Sequence, residues 1–226
     1  MPNIRIVAIF AVIIIAAVAG IAWPFIANVK TSYILEPVHA SQWHIGKGSE
    51  TNPEMVYQIS YNKTQLTADL KFLTIPGGGQ QISAKIIPND GSKEIDQSVK
   101  IGLVYYFVDT SSEAKPYFDI LNQSIFSMRD YATDDKYLAK DAEWGDLYIG
   151  ANHEKLKVTD SGKMSFTFGS ADTYMLSYRI GAKINKIWIV DNIPLPVKSE
   201  IYDPDGNLVY TYELVSLKAP SAGLTS

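Results

Sequence analysis

The sequence predicts a mainly β, α+β domain, an antiparallel sheet or curved sandwich packed on one helix, standing behind an N-terminal transmembrane helix. Three observations carry that expectation. The chain holds 14 Tyr, 8 Phe and 4 Trp with frequent Val, Ile and Thr, residue types that suit a pleated, half-buried surface. Short apolar/polar alternations recur between clusters of Gly, Pro, Asn and Asp, the pattern of strands and their turns. No charged side chain occurs from Ile6 to Val29, which is long enough to cross a bilayer as a helix.

The anchor is expected over residues 1–29. Trp23 falls where an aromatic ring meets the interface, Pro24 follows where a helix ends, and Lys30 marks the return to water. Arg5 and the α-amino group on one side, against Lys30 and then Glu36 on the other, favour a cytoplasmic N-terminus and place the rest of the chain outside. The alternative is a cleaved signal peptide, for which Ala17-Val18-Ala19 has the small residues of a cut site; the apolar run continuing through Ile21 and Phe25 argues for retention.

Beyond the anchor the expected order is a stalk over residues 30–48, a β-rich domain over 49–218 and a loose tail over 219–226. Strands are predicted at 55–61 and 67–75, joined by a hairpin at Asn62-Lys63-Thr64, and at 82–87, closed by the turn Pro88-Asn89-Asp90-Gly91. The largely apolar run 99–108 predicts a central strand. Pro116 suits a first helical turn, and Phe118, Leu121, Ile125 and Met128 recur at the spacing of one buried stripe, so a helix is predicted over 116–131 with a further helical turn at 134–140. Six more strands follow, at 156–158, 164–168, 174–180, 184–190, 197–202 and 208–217, with turns at Asp160-Ser161-Gly162 and Asp203-Pro204-Asp205-Gly206.

Composition excludes several chemistries. The chain has no cysteine, so disulfides, thiolate metal sites and cysteine nucleophiles are absent. With 20 basic and 24 acidic residues interspersed, no basic face suggests nucleic acid.

The motifs that carry chemistry elsewhere are incomplete here. Asp203-Pro204-Asp205-Gly206-Asn207 begins like a calcium loop, but its twelfth residue is Leu214 where a bidentate Glu is required, leaving a hairpin turn. His39 and His44, with Glu36 and Glu50 nearby, have donor types for copper or zinc but no regular element to fix their distance, and His153 is remote. Gly169-Ser170-Ala171 lacks the helix of a nucleophile elbow. Asp134 with Asp135, and Glu143 with Asp146, read as solvated loop carboxylates unless a cleft opposes them. Gly46-Lys47-Gly48-Ser49 has the letters of a phosphate loop without its length. No catalytic, cofactor or metal residue is therefore assigned. Asn62-Lys63-Thr64 and Asn122-Gln123-Ser124 are glycosylation sequons on the expected exterior, making Asn62 and Asn122 candidate modification sites. Trp43, Trp144 and Trp188 would form a sugar or ligand platform if they shared a surface; buried core is the plainer reading.

Four stretches carry a family resemblance. Ser177-Tyr178-Arg179-Ile180-Gly181, then Lys186-Ile187-Trp188-Ile189-Val190-Asp191-Asn192-Ile193-Pro194-Leu195-Pro196-Val197-Lys198 and Tyr212-Glu213-Leu214-Val215, resemble the C-terminal strands of uncharacterised membrane-anchored extracellular proteins of ammonia-oxidising archaea. Trp43-His44-Ile45-Gly46-Lys47-Gly48 resembles the entry motif of the same domains. The resemblance implies an archaeal, extracellular location and no reaction. A weaker one, through the hairpin from Pro196-Val197-Lys198 to Gly206-Asn207-Leu208-Val209, is to lipoprotein-carrier domains, in which a curved antiparallel sheet cups an acyl chain.

The function expected is that of a single-pass, membrane-anchored binding or structural protein beside another membrane complex. A hydrophobic-ligand carrier is the alternative, and a hydrolase the third. A carrier needs an apolar hollow of at least ~300 Å³ beneath its sheet, whereas an interaction module has a filled core and an exposed apolar patch.

Overall fold

The computed structural model describes residues 40–75, 80–102, 105–149 and 152–219. The expected anchor, residues 30–39 of the expected stalk with Glu36 and His39, residues 76–79 and the expected tail from residue 220 lie outside the described residues. Among the described residues no helix is long and apolar enough to cross a membrane.

The described chain forms β1 (Gln42–Trp43), β2 (Glu54–Tyr61), β3 (Thr64–Thr74), β4 (Gln80–Pro88), β5 (Ile95–Ile101) and β6 (Phe107–Val108), then helix α1 (Lys115–Gln123) with a 3₁₀ segment (Ile125–Asp130). After these come β7 (Lys136–Tyr137), β8 (Glu143–Ile149), β9 (Asn152–Phe166), β10 (Gly169–Ile180), β11 (Lys183–Val190), β12 (Lys198–Tyr202) and β13 (Leu208–Lys218). Eleven strands join in one sheet in the order β6-β5-β4-β3-β2-β13-β12-β11-β10-β9-β8, and β1 pairs with β7 in a separate ribbon. Every pairing is antiparallel. The architecture is thus mainly β with one continuous sheet, and the sandwich alternative is replaced.

Alternation assigns the faces. Met55, Tyr57 and Ile59 of β2 and Leu66, Ala68, Leu70 and Phe72 of β3 are all buried, with the intervening residues facing outward. Against the inner face lie Phe118, Leu121, Ile125, Phe126 and Met128, each at most 1% exposed. The sheet bends around this segment. Phe107 of edge strand β6 packs edge-on against Phe118 and Phe126, with centroids 4.9 and 4.7 Å apart. Tyr131 reaches the opposite edge strand, its Cδ1 3.2 Å from where a Cβ on Gly145 would stand. In a flat sheet those edges would be roughly 48 Å apart.

Several expectations are corrected. Residues 40–48, assigned to the stalk, belong to the domain: Trp43 and Ile45 are fully buried, and the Ile45 amide donates to the Ala132 carbonyl at 2.8 Å. The run 99–108 is not a central strand. Tyr105 takes a φ of +57°, its amide donates to the Gly102 carbonyl at 2.9 Å, and β6 beyond it is an edge strand. The predicted helix 116–131 is broken at Ser124, whose hydroxyl donates to the Ile120 carbonyl at 2.6 Å, and the apolar stripe continues as the 3₁₀ segment. The predicted helical turn at 134–140 yields strand β7 instead. Asp160-Ser161-Gly162 is no turn but lies within β9, where Gly162 pairs with Thr173. A bulge there is held by Thr159, whose hydroxyl lies 2.9 Å from that of Ser177.

Candidate functional site

Two of the stretches that carry the archaeal resemblance dock on each other. The Trp43 indole N–H donates to the Ile193 carbonyl at 2.8 Å, and the Gly46 amide donates to the Pro194 carbonyl at 2.7 Å. Lys47 Nζ lies 2.5 Å from Asp191 Oδ1 and also donates to the Gln42 carbonyl. Only glycine fits at the two bends. Gly46 and Gly48 have φ of +89° and +87°, and an added Cβ would stand 1.6 Å from Tyr105 Oη and 2.4 Å from the Asn192 carbonyl oxygen, respectively. The Gly46-Lys47-Gly48-Ser49 segment is therefore committed to holding the chain's own turn. On the other side, residues 193–197 are buried as a run, and the Tyr57 hydroxyl donates to the Pro196 carbonyl at 2.9 Å.

The tryptophans do not form one platform. Trp43 and Trp144 stack inside the domain with centroids 5.7 Å apart, and the Trp144 indole N–H is bound to the Tyr137 carbonyl. Trp188, paired with Met175 and Lys198 across β10 and β12, stands on the outer face, with Lys198 Nζ 5.8 Å from its ring centroid.

The outer face of the central strands holds a groove of about 420 Å³. Its floor is two rows running across the sheet, set by register. In the first, Lys198 pairs with Glu213, Glu213 with Gln58 and Gln58 with Thr67; in the second, Glu200 pairs with Thr211, Thr211 with Ser60 and Ser60 with Gln65. All eight side chains are polar. Asn89 extends the second row, its amide donating to the Gln65 carbonyl at 2.9 Å. Within the groove Lys198 Nζ lies 3.7 Å from Glu213 Oε2.

The remaining candidates are scattered. His44 pairs with Asp135 at 2.8 Å and His153 with Asp146 at 2.7 Å, and Asp146 and Glu143 stand on strand β8, not in a loop. Among the described residues no three His, Cys, Asp or Glu side chains gather as metal donors. Asp203 accepts from the Asn207 amide at 2.8 Å, as a hairpin turn requires. Ser170 lies in β10, its hydroxyl 3.3 Å from that of Ser165. Asn62 occupies the exposed β2–β3 turn with φ of +52°, whereas the Asn122 carbonyl accepts from Arg129 Nη1 at 2.8 Å and Ser124 of its sequon is fully buried.

Burial perturbs a group of tyrosines on the inner face. Tyr57 and Tyr212 meet edge-on at 6.0 Å, and Tyr210 stacks between Tyr61 and Tyr212. Desolvation raises the Tyr57 and Tyr212 hydroxyls well above their ordinary value of 10.0 and pushes Tyr210 up to about 12.

Comparison with protein-family models finds no match, and comparison with curated proteins finds none either. Among solved structures, MucB is similar at a TM-score of 0.44 and 11% identity, over 80% of this chain and 60% of MucB. The Pseudomonas aeruginosa MucA/MucB complex gives 0.40 and 11%, over 78% of this chain and 55% of that one. A putative exported protein with YmcC-like fold from Bacteroides fragilis gives 0.31 and 13%, over 80% of this chain and all of that one. The chain thus spans about 60% of the length of MucB. No ligand or activity transfers at this level of similarity.

Proposed function

We propose that this chain is an extracytoplasmic binding module, held at a membrane by residues 1–29, whose contact surface is the polar groove on the outer face of its sheet. The observation that carries this is the contrast between the two faces. The concave side is filled by Phe118, Leu121, Ile125, Phe126 and Met128, which favours an interaction module over a carrier of acyl chains. The convex side presents two rows of polar side chains around a depression of about 420 Å³, within the usual size of a binding site. Membership in the archaeal membrane-anchored family accords with the docking of Trp43–Gly48 on Asp191–Pro194, which makes two distant stretches one structural signature.

Site-directed photocrosslinking in intact cells of the source organism tests this reading. A photo-reactive side chain placed at Gln58 captures a discrete adduct, and the same group at Lys163, exposed on β9 away from the groove, does not. Equal adducts at both positions, or none at Gln58, overturn it.

A further inference from the structure

Taking the groove as the contact surface, we infer that its ligand is an uncharged, hydroxyl-rich chain, that is, a neutral oligosaccharide. The inference rests on the preceding reading and adds the ligand's chemistry.

The groove lies over strand centres, not along a sheet edge. β12, β13, β2 and β3 are each hydrogen-bonded on both sides, so their backbone N–H and C=O groups are already satisfied by neighbouring strands. An extended peptide recognised through its main chain requires an unpaired edge. Whatever binds here is met by side chains alone.

The available side chains are Gln58, Gln65 and Asn89, with paired donor and acceptor amides, and Ser60, Thr67 and Thr211, whose hydroxyls both donate and accept. Their complement is a ligand studded with groups that also donate and accept at each position, as sugar hydroxyls do. Charge points the same way. The lining has Lys198 against Glu200 and Glu213, and Lys198 is directed at Glu213, so no positive field is left for a phosphate or a polyanionic glycan. Acyl chains would strip water from these polar groups without replacing its hydrogen bonds.

Shape agrees. The rows cross four strands, a span of about 14 Å, so the groove accepts a linear chain lying across the sheet.

The test is calorimetric titration of the full chain, held in the sugar-free detergent lauryldimethylamine oxide, with cellotetraose, mannotetraose, chitotetraose and the anionic trigalacturonate. At least one neutral oligosaccharide saturates the protein. Replacing both Gln58→Ala and Thr211→Val weakens it about tenfold, trigalacturonate binds more weakly still, and Lys163→Ala has no effect. Thermal unfolding of the double variant, matched to the parent, shows that the loss is local, and the single Gln58→Ala variant serves if the double one does not fold. Should no neutral oligosaccharide bind while the crosslink from Gln58 persists, the oligosaccharide inference falls and the groove reading stands. Should both fail, both fall. Binding that is indifferent to Gln58→Ala also overturns the inference.

Discussion

Lys47 Nζ stands 2.5 Å from Asp191 Oδ1, joining residues 144 positions apart at a point where each side chain retains only 27% of its exposure. The contact closes the entry segment of the domain against the turn that follows β11. Because both groups are largely shielded, the pair is worth more than an exposed ion pair. Lys47→Ala and Asp191→Ala are each expected to cost about 1–2 kcal/mol, and a double-mutant cycle by urea unfolding to return a coupling of about 1 kcal/mol. Strict additivity would remove the pair from the account.

Gly46 and Gly48 flank Lys47 and fail for different reasons when given a Cβ. Gly46→Ala collides with the Tyr105 side chain and Gly48→Ala with the Asn192 backbone. Each is expected to destabilise by about 2 kcal/mol or more, since both also sit at positive φ. Tyr105→Ala partly rescues Gly46→Ala in thermal unfolding and does nothing for Gly48→Ala. Equal rescue of both would contradict the geometry.

Stability falls steeply on the alkaline side. The buried hydroxyls of Tyr57, Tyr210 and Tyr212 are held protonated in the fold, Tyr210 up to about 12, while in the unfolded chain they ionise near 10.0. A folded-state value above the unfolded one means the contribution is whole below pH 10.0 and is lost as pH rises toward 12. Ultraviolet titration should show these phenolates appearing together with loss of β-sheet circular dichroism. Their appearance before unfolding would place the tyrosines in contact with water.

Two carboxylates near the β2–β3 interface carry opposite signs. The hydrogen bond from Lys218 holds Glu54 below its ordinary 4.5, so its contribution is present above that value and disappears as pH falls through the lowered one. Desolvation, reinforced by Glu54, raises Asp69 above its ordinary 3.8, so the ionised side chain opposes folding at neutral pH. Glu54→Gln should therefore lower the midpoint of thermal unfolding at pH 7 and Asp69→Asn raise it, the first effect fading as pH falls through the lowered Glu54 value and the second as pH falls from the raised Asp69 value to 3.8. The same sign for both variants would refute the assignment.

Strands with one dominant apolar face were legible in the sequence. β2, β3, β10, β11, β12 and β13 fall where alternation places them, and the Asn62-Lys63 and Asp203–Gly206 turns carry their own chemistry. Elsewhere tertiary contacts override the local pattern. Glu143 and Asp146 read as loop carboxylates yet stand on β8, which pairs with β9 as an edge strand, and Gly162 reads as a turn residue yet continues β9 past its bulge. Trp43 and Ile45 sit in a segment rich in Gly, His and Ser, and nothing local reveals that their partners are Trp144, Ala132 and Ile193. The groove is not visible in the alternation, which marks the apolar half of each strand. Its signal was the other half: Gln58, Ser60, Gln65, Thr67, Lys198, Glu200, Thr211 and Glu213 are the outward residues of strands already assigned. Their adjacency appears only once β2 is known to pair with β13.

The most direct test compares acylation of Lys198, in the groove, with that of Lys163, outside it, using a membrane-impermeant reagent on intact cells and on the purified full chain. The account predicts that Lys163 reacts in both samples, while Lys198 reacts in the purified chain and is protected on cells by a bound ligand. Equal reactivity of Lys198 in the two samples, or a Lys163 that reacts only after cells are broken, would contradict it.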